Sequence, residues 1–209
     1  MKKLFSLLLS FAMATGTFAQ SNSIYGNFSK SDGTKLKGTS VTKGFENQII
    51  INSYTGGSDN SGTIDIEVPN AAYVADFRTM MNAATASNNN PQLQTMPKTT
   101  VSPNTVIKPT LNKTTLTQKL PASPKFQNID ISINSRNGQG MYRISNKIVL
   151  QNVTVLAVTD DYATGSSKIK LKATRIGWMY YSYETQSGKI SNIAKSGWDN
   201  EANQAWTNF

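Results

Sequence analysis

Alternating apolar and polar residues on both sides of residues 87–125 predict β-strands. Isoleucine or valine occupies every second position in Ile64–Val68, and isoleucine does so again from Ile129 to Ile133 within Phe126–Asn134, which gives each strand one buried and one solvated face. Ser23–Ser29 has a strand-like composition, and Ile49–Ile51 is a short apolar run bounded by polar residues. We therefore predict a mainly β domain with antiparallel strands.

Two long strands are predicted after residue 148, and each changes the face on which its apolar residues lie. The first change falls at Gln151-Asn152 and the second at Thr174-Arg175. Phase changes of this kind indicate β-bulges, which bend long strands and suit a small barrel or a two-sheet sandwich. The apolar residues concerned are Ile148 and Leu150, then Val153, Val155 and Ala157, in the first strand, and Ile169, Leu171 and Ala173, then Ile176, Trp178 and Tyr180, in the second.

One segment, residues 70–85, has the spacing and composition of an amphipathic helix that begins at Pro69 or Asn70. Val74, Phe77 and Met81 fall on one helical face. We predict that this face packs against the sheet.

The N-terminus has the three parts of a cleavable signal peptide. Lys2 and Lys3 precede the apolar stretch Leu4–Met13, and Thr17-Phe18-Ala19 places small residues at the −3 and −1 positions before Gln20. The apolar stretch is short for a membrane span. We predict that residues 1–19 are removed near Ala19/Gln20 and that the mature protein is secreted or periplasmic, without membrane attachment.

The segment 87–125 differs in composition from the residues on either side. It contains six of the seven prolines and lacks both acids and aromatic residues. Such a stretch cannot bury enough apolar surface to offset the entropy lost on ordering. We predict a single β domain over residues 20–209, with 87–125 as a flexible insertion.

Charge does not indicate nucleic-acid binding. The formal net charge is +9, and loss of Lys2 and Lys3 with the signal peptide lowers it to +7. Five of these charges are lysines dispersed singly in residues 87–125, with no aromatic residues between them to stack on bases. We therefore predict no nucleic-acid partner.

Composition also argues against catalysis. The absence of histidine and cysteine removes the common general bases, thiol nucleophiles and Cys/His zinc sites. We interpret Asp65 and Glu67 as residues on the solvent face of a strand, and Asp160-Asp161 as part of a turn. The loop before Asp65 has too few acids for a good calcium site. We predict no enzyme activity and no catalytic, cofactor-binding or metal-binding residues.

Four short motifs occur among these predicted elements, in a defined order along the chain. Lys37-Gly38-Thr39-Ser40 follows the first strand, and Leu150–Val155 has the form Leu-x-Asn-Val-x-Val. Arg175–Tyr180 has the form Arg-Ile-x-Trp-x-Tyr, and Ser196–Asp199 contains Gly-Trp-Asp. In this order they resemble the Hcp family, the ring-forming tube proteins of bacterial type VI secretion. Thr39 stands where that family has glutamate.

The resemblance implies an antiparallel β-barrel or two-sheet sandwich with one flanking α-helix, and a structural role. It implies assembly into homohexameric rings that stack into tubes, and contact with effector cargo or with components of the secretion machine. By family position, the loop 56–62 and the helix 70–85 are the expected contact regions. The signal peptide and the insertion 87–125 depart from the family pattern.

A second hypothesis assigns a different function to the same β domain. In this hypothesis the protein is a secreted or periplasmic monomer that binds a glycan or a protein at the cell surface. Tyr54, Tyr180, Tyr181 or Tyr183 would grip the ligand.

Overall fold

The fold is a curved antiparallel sheet with one helix, seen in a computed structural model that describes residues 23–57, 61–89, 125–136 and 142–209. The prediction of a mainly antiparallel β domain with one flanking helix is confirmed. The elements are β1 (Ser23–Lys30), β2 (Ile49–Ile51), β3 (Ser53–Gly56), β4 (Thr63–Pro69), α1 (Tyr73–Asn89), β5 (Phe126–Arg136), β6 (Tyr142–Asp161), β7 (Ser166–Tyr183), β8 (Ile190–Asp199) and β9 (Gln204–Ala205). The signal peptide and residues 90–124 of the predicted insertion lie outside the described residues.

The strands follow the order β2-β1-β5-β6-β7-β4-β3, and β8 pairs with β7. β7 changes partner along its length: residues 166–172 pair with β4, and residues 175–183 pair with β8. The two end strands, β2 and β3, are consecutive in the chain, and the N–H of the intervening Asn52 donates to the Glu67 carbonyl at 2.7 Å. Because β2 and β3 do not pair with each other, the ladder curves around the core without closing into the predicted barrel.

A crease crosses three neighbouring strands where each changes its buried face. Leu150 lies opposite Ile129 in β5 and Ile176 in β7, and Val153 lies opposite Phe126 and Ala173. All six of these residues are buried, and two residues separate the buried positions within each strand. Both predicted phase changes are therefore confirmed, and they belong to a single line across the sheet.

The predictions of β-bulges at Gln151-Asn152 and at Thr174-Arg175 are wrong in their position. The pairing of β6 with β7 keeps its register there, and Asn152 makes the change of face with a φ of 51°. The register shifts instead between Val155 and Ala157. Ala157 consequently does not continue the buried row, and Val158 packs against the core in its place.

The helix packs on the sheet with the predicted face. Val74 and Phe77 are buried, Met80 is buried beside them, and Met81 is partly buried against the core. The helix begins at Tyr73, later than predicted, and the Tyr73 hydroxyl donates to the Pro69 carbonyl at 2.8 Å. The segment before the helix is thus a turn, and the side chain of Tyr73, the first residue of the helix, holds it in place.

Three fully buried phenylalanines join the helix to the sheet. The Phe77 ring on α1 lies 5.2 Å from that of Phe28 on β1 and 5.5 Å from that of Phe126 on β5. The Phe28 and Phe126 rings are also 5.5 Å apart. All three side chains have no exposed surface. This cluster is the centre of the packing between α1 and the sheet.

Candidate assembly surface

Among the strands of ten or more residues, β8 is the most exposed. Every residue from Ile190 to Ser196 is exposed, Gly197 and Trp198 are partly buried, and Asp199 is buried. β8 pairs with β7 along its length, but on its other side it pairs only with β9, at Trp198 and Asp199. Among the described residues, the outer edge of β8 therefore has no strand partner between Ile190 and Ser196.

The C-terminal segment packs over two glycines near this edge. The Trp206 N–H donates to the Gly197 carbonyl at 2.9 Å, and the Phe209 ring lies directly against the backbone of Gly177 and Gly197. A Cβ atom at Gly197 would overlap the Trp206 carbonyl and would lie 2.9 Å from the Ile176 carbonyl. Glycine at these positions lets the C-terminal segment lie flat on β7 and β8.

Asp199 ties the same segment to β7. Its carboxylate accepts hydrogen bonds from Arg175 Nε at 2.6 Å and from the Glu201 and Ala202 N–H groups at 3.0 and 2.9 Å. The hydrogen bond from Ala202, followed by that from Arg175, holds the pKa of Asp199 below its usual value. The residues of the two C-terminal motifs therefore contact one another and serve the fold.

We expect Asp199 to make stability depend on pH. A carboxyl whose pKa is lower in the folded state stabilises the fold above its unfolded pKa, near 3.8, and this contribution disappears as the pH falls through the folded pKa. Asp199→Asn should therefore lower the urea midpoint clearly at about pH 6 and much less at about pH 2.5. The exposed Asp65, 3.9 Å from Lys170, provides the control Asp65→Asn. An equal loss at both pH values for Asp199→Asn would contradict the expectation.

The motif Lys37-Gly38-Thr39-Ser40 forms part of a tight loop beside β2. The Gly38 N–H donates to the Asn47 carbonyl at 2.7 Å, and the Ser40 N–H donates to the Gln48 carbonyl at 3.1 Å. Ser40 is buried, at 4 % exposure. The glycine and the serine of this motif therefore hold a loop, and Thr39 itself is exposed.

The structure brings together only two of the four tyrosines named in the ligand-binding hypothesis. Tyr54 and Tyr180 line a cleft of about 160 Å³ together with Trp178. Burial, with a smaller effect of Tyr180, raises the pKa of Tyr54. Tyr181 and Tyr183 alternate with Tyr180 along β7 and face the other side of the sheet. The four residues do not form one binding site.

The acids considered as catalytic candidates make local structural contacts. Asp65 is 46 % exposed on its strand, and Glu67 accepts hydrogen bonds from Ser53 and Ser166. Asp160 lies at the end of β6, where Arg78 and Ser167 donate to it, and Asp161 accepts from the N–H groups of the following turn. In the part of the chain that the structure describes, no three metal-binding side chains of His, Cys, Asp or Glu cluster together.

Among the residues that the structure describes, neither expected contact region offers an apolar surface comparable to β8. The apolar face of α1 is used within the subunit. At the ends of the loop 56–62, Gly57 is buried, and the Gly62 carbonyl accepts from the Ala173 N–H at 2.8 Å; residues 58–60 lie outside the described ranges. The described helix is too short or too polar to cross a membrane. Sequence reasoning did not identify the β8 edge, because its residues lack a strand periodicity.

The comparisons with known proteins identify a fold. No family model matches the sequence, and no curated protein is similar to it. The crystal structure of Hcp1 from Salmonella typhimurium matches with a TM-score of 0.55 at 12 % identity, over 89 % of this chain and 99 % of that one. A type six secretion system protein matches with a TM-score of 0.56 at 12 % identity, over 89 % and 100 %. The secreted protein Hcp3 from Pseudomonas aeruginosa matches with a TM-score of 0.51 at 9 % identity, over 82 % and 96 %.

Proposed function

From the Hcp fold that this chain shares with those structures, we propose that it is a non-enzymatic structural protein that assembles into rings. It is either a type VI secretion tube component or an exported relative of one. The observation that carries the proposal is the extent of the match, because nearly the full length of the Hcp chains is covered. A ring role also suits a subunit with an exposed strand edge, since such edges favour pairing with another chain.

Ring formation requires two different surfaces on each subunit. A heterologous contact between them closes into a ring when the rotation between subunits allows it. The homohexamer, the stacking of rings and the contacts with cargo or secretion-machine components are part of this proposal.

Multi-angle light scattering after size-exclusion chromatography, combined with negative-stain electron microscopy, tests the assembly. We expect the mature chain to elute as a hexamer and to show ring-shaped particles. A monomer that persists at high protein concentration would overturn the proposal. It would favour the monomeric ligand-binding hypothesis instead.

We further propose that the protein is exported after removal of residues 1–19, as one domain over 20–209 with 87–125 as an insertion. The charged, apolar and small-residue regions of the N-terminus support export. N-terminal sequencing of the protein from medium, periplasm and cytoplasm tests it. We expect Gln20 as the first residue outside the cytoplasm. An intact Met1 in a soluble cytoplasmic pool would contradict export.

A further inference from the structure

The outer edge of β8 carries unpaired main-chain groups over Ile190–Ser196 among the described residues. We propose that this edge receives an edge strand from a second copy of the chain. This inference rests on the ring assembly proposed above, and it identifies one of the two surfaces that the ring requires.

One hydrogen bond shows which main-chain N–H and C=O groups face the free edge. The Gly197 carbonyl accepts from Trp206, so the N–H and C=O groups of Gly197 point away from β7. The pairing of β8 with β7 is regular from Asn192 to Asp199, and the direction of these groups alternates along an antiparallel strand. The N–H groups of Ile193 and Lys195 therefore face the free edge, whereas that of Ala194 faces β7.

This edge has little of the protection that natural edge strands carry, namely lysines, prolines and bulges. Between Ile190 and Asp199 there is no proline, Lys195 is the single cation, and the register shift against β7 is confined to the start of the strand, between Ile190 and Asn192. Lys195 Nζ donates to the Phe209 carbonyl and lies 5.2 Å from the centre of the Phe209 ring. Its charge is thus directed towards the C-terminal segment. Ile190 and Ile193 remain 51 % and 39 % exposed, which leaves apolar side chains beside the open main chain.

The C-terminal segment defines how much of the edge is open. β9 and Trp206 occupy the edge from Gly197 to Asp199. An incoming strand therefore has the positions from Ile190 to Ser196, of which those from Asn192 onward are in regular register with β7, and this is a usual strand length.

A second copy is the partner that fits this edge. β2 and β3 are the edge strands at the two ends of the strand order. Each subunit therefore has an edge strand that differs from β8, and a heterologous ring contact needs two different surfaces. The end strands β2 and β3 carry no charged side chain, so neither places a like charge against Lys195 or buries an unpaired charge on pairing.

Two substitutions at one position separate main-chain pairing from side-chain contact. Ile193→Pro removes an outward N–H and leaves the pairing with β7 intact, because proline is tolerated where the N–H faces away from the sheet. Ile193→Ala removes the side chain and keeps the N–H. We expect Ile193→Pro to raise the concentration for half-assembly at least about tenfold above that of Ile193→Ala, measured by light scattering on the mature chain.

Circular dichroism melting checks that each variant folds. If Ile193→Pro is unfolded, Ile193→Lys serves instead, because it keeps every N–H and adds an edge cation that opposes pairing. A folded variant that stays monomeric while the unsubstituted chain forms rings supports the proposal. Rings of normal stability in folded Ile193→Pro would overturn the β8 assignment and leave the ring function standing. A monomeric unsubstituted chain would overturn the proposed function itself.

Discussion

Replacing Phe77 with alanine is expected to lower the free energy of unfolding by about 3–5 kcal/mol. The ring is fully buried between Phe28 and Phe126, so its loss removes apolar burial and leaves a cavity where α1 meets the sheet. Neighbouring rings come from two strands that are fixed in the sheet, which limits how far the site can collapse. Urea denaturation followed by circular dichroism measures the change.

Phe45→Ala is the matched control for this prediction. The Phe45 ring stacks on Tyr25 at 4.6 Å, but it lies on a surface loop and is partly exposed. Its removal should cost only about 1 kcal/mol. If Phe77→Ala costs no more than Phe45→Ala, the phenylalanine cluster does not hold the helix to the sheet.

Gly38→Ala is expected to cost about 3 kcal/mol of stability. An added Cβ would overlap the carbonyl group of Gln48 and the nitrogen of Ile49. These are backbone atoms at the start of β2, so relief requires movement of the loop or of the strand rather than a change of rotamer. Thermal and urea unfolding would both register the loss.

Gly44 in the same loop separates steric overlap from backbone strain. Gly44 has a φ of 85° and no atom within 4 Å of an added Cβ, so Gly44→Ala should cost only the left-handed conformation, about 1–2 kcal/mol. The stability cost of Gly38→Ala, by contrast, comes from overlap of the added Cβ with neighbouring backbone atoms. A smaller loss for Gly38→Ala than for Gly44→Ala would show that the loop is free to move away from β2.

The strands that bury one face were predictable because successive side chains of a strand point to opposite faces, so buried residues recur at every second position. The crease was predictable for the same reason, since the alternation of buried residues shifts by one position between Leu150 and Val153 within one strand. The alignment of that change with neighbouring strands depends on register, which a single strand does not encode. Met80 was missed on the helix because it lies at the edge of the apolar face, three residues after Phe77, where packing rather than spacing decides whether a side chain is buried.

The candidate surface was less predictable than the fold. Ile190 and Ile193 are spaced by three among polar residues, which fits neither strand alternation nor a long helix. β8 forms because β7 offers it a ladder of main-chain groups along nine paired positions. The sequence motif at Ser196–Asp199 pointed to this region, but an unpaired edge is a property of the assembled sheet.

The pairing of β4 with the first half of β7 has a kinetic consequence. Pro69 lies opposite Ser166, so the chain between them must form a long loop before this ladder gains any energy, whereas β5 to β8 follow one another as neighbours. Loop-closure entropy favours the local meander first and delays distant pairing. In pulse-labelling hydrogen exchange, the amide of Leu150 should gain protection before that of Ile66; the reverse order would show that folding starts at the distant contact.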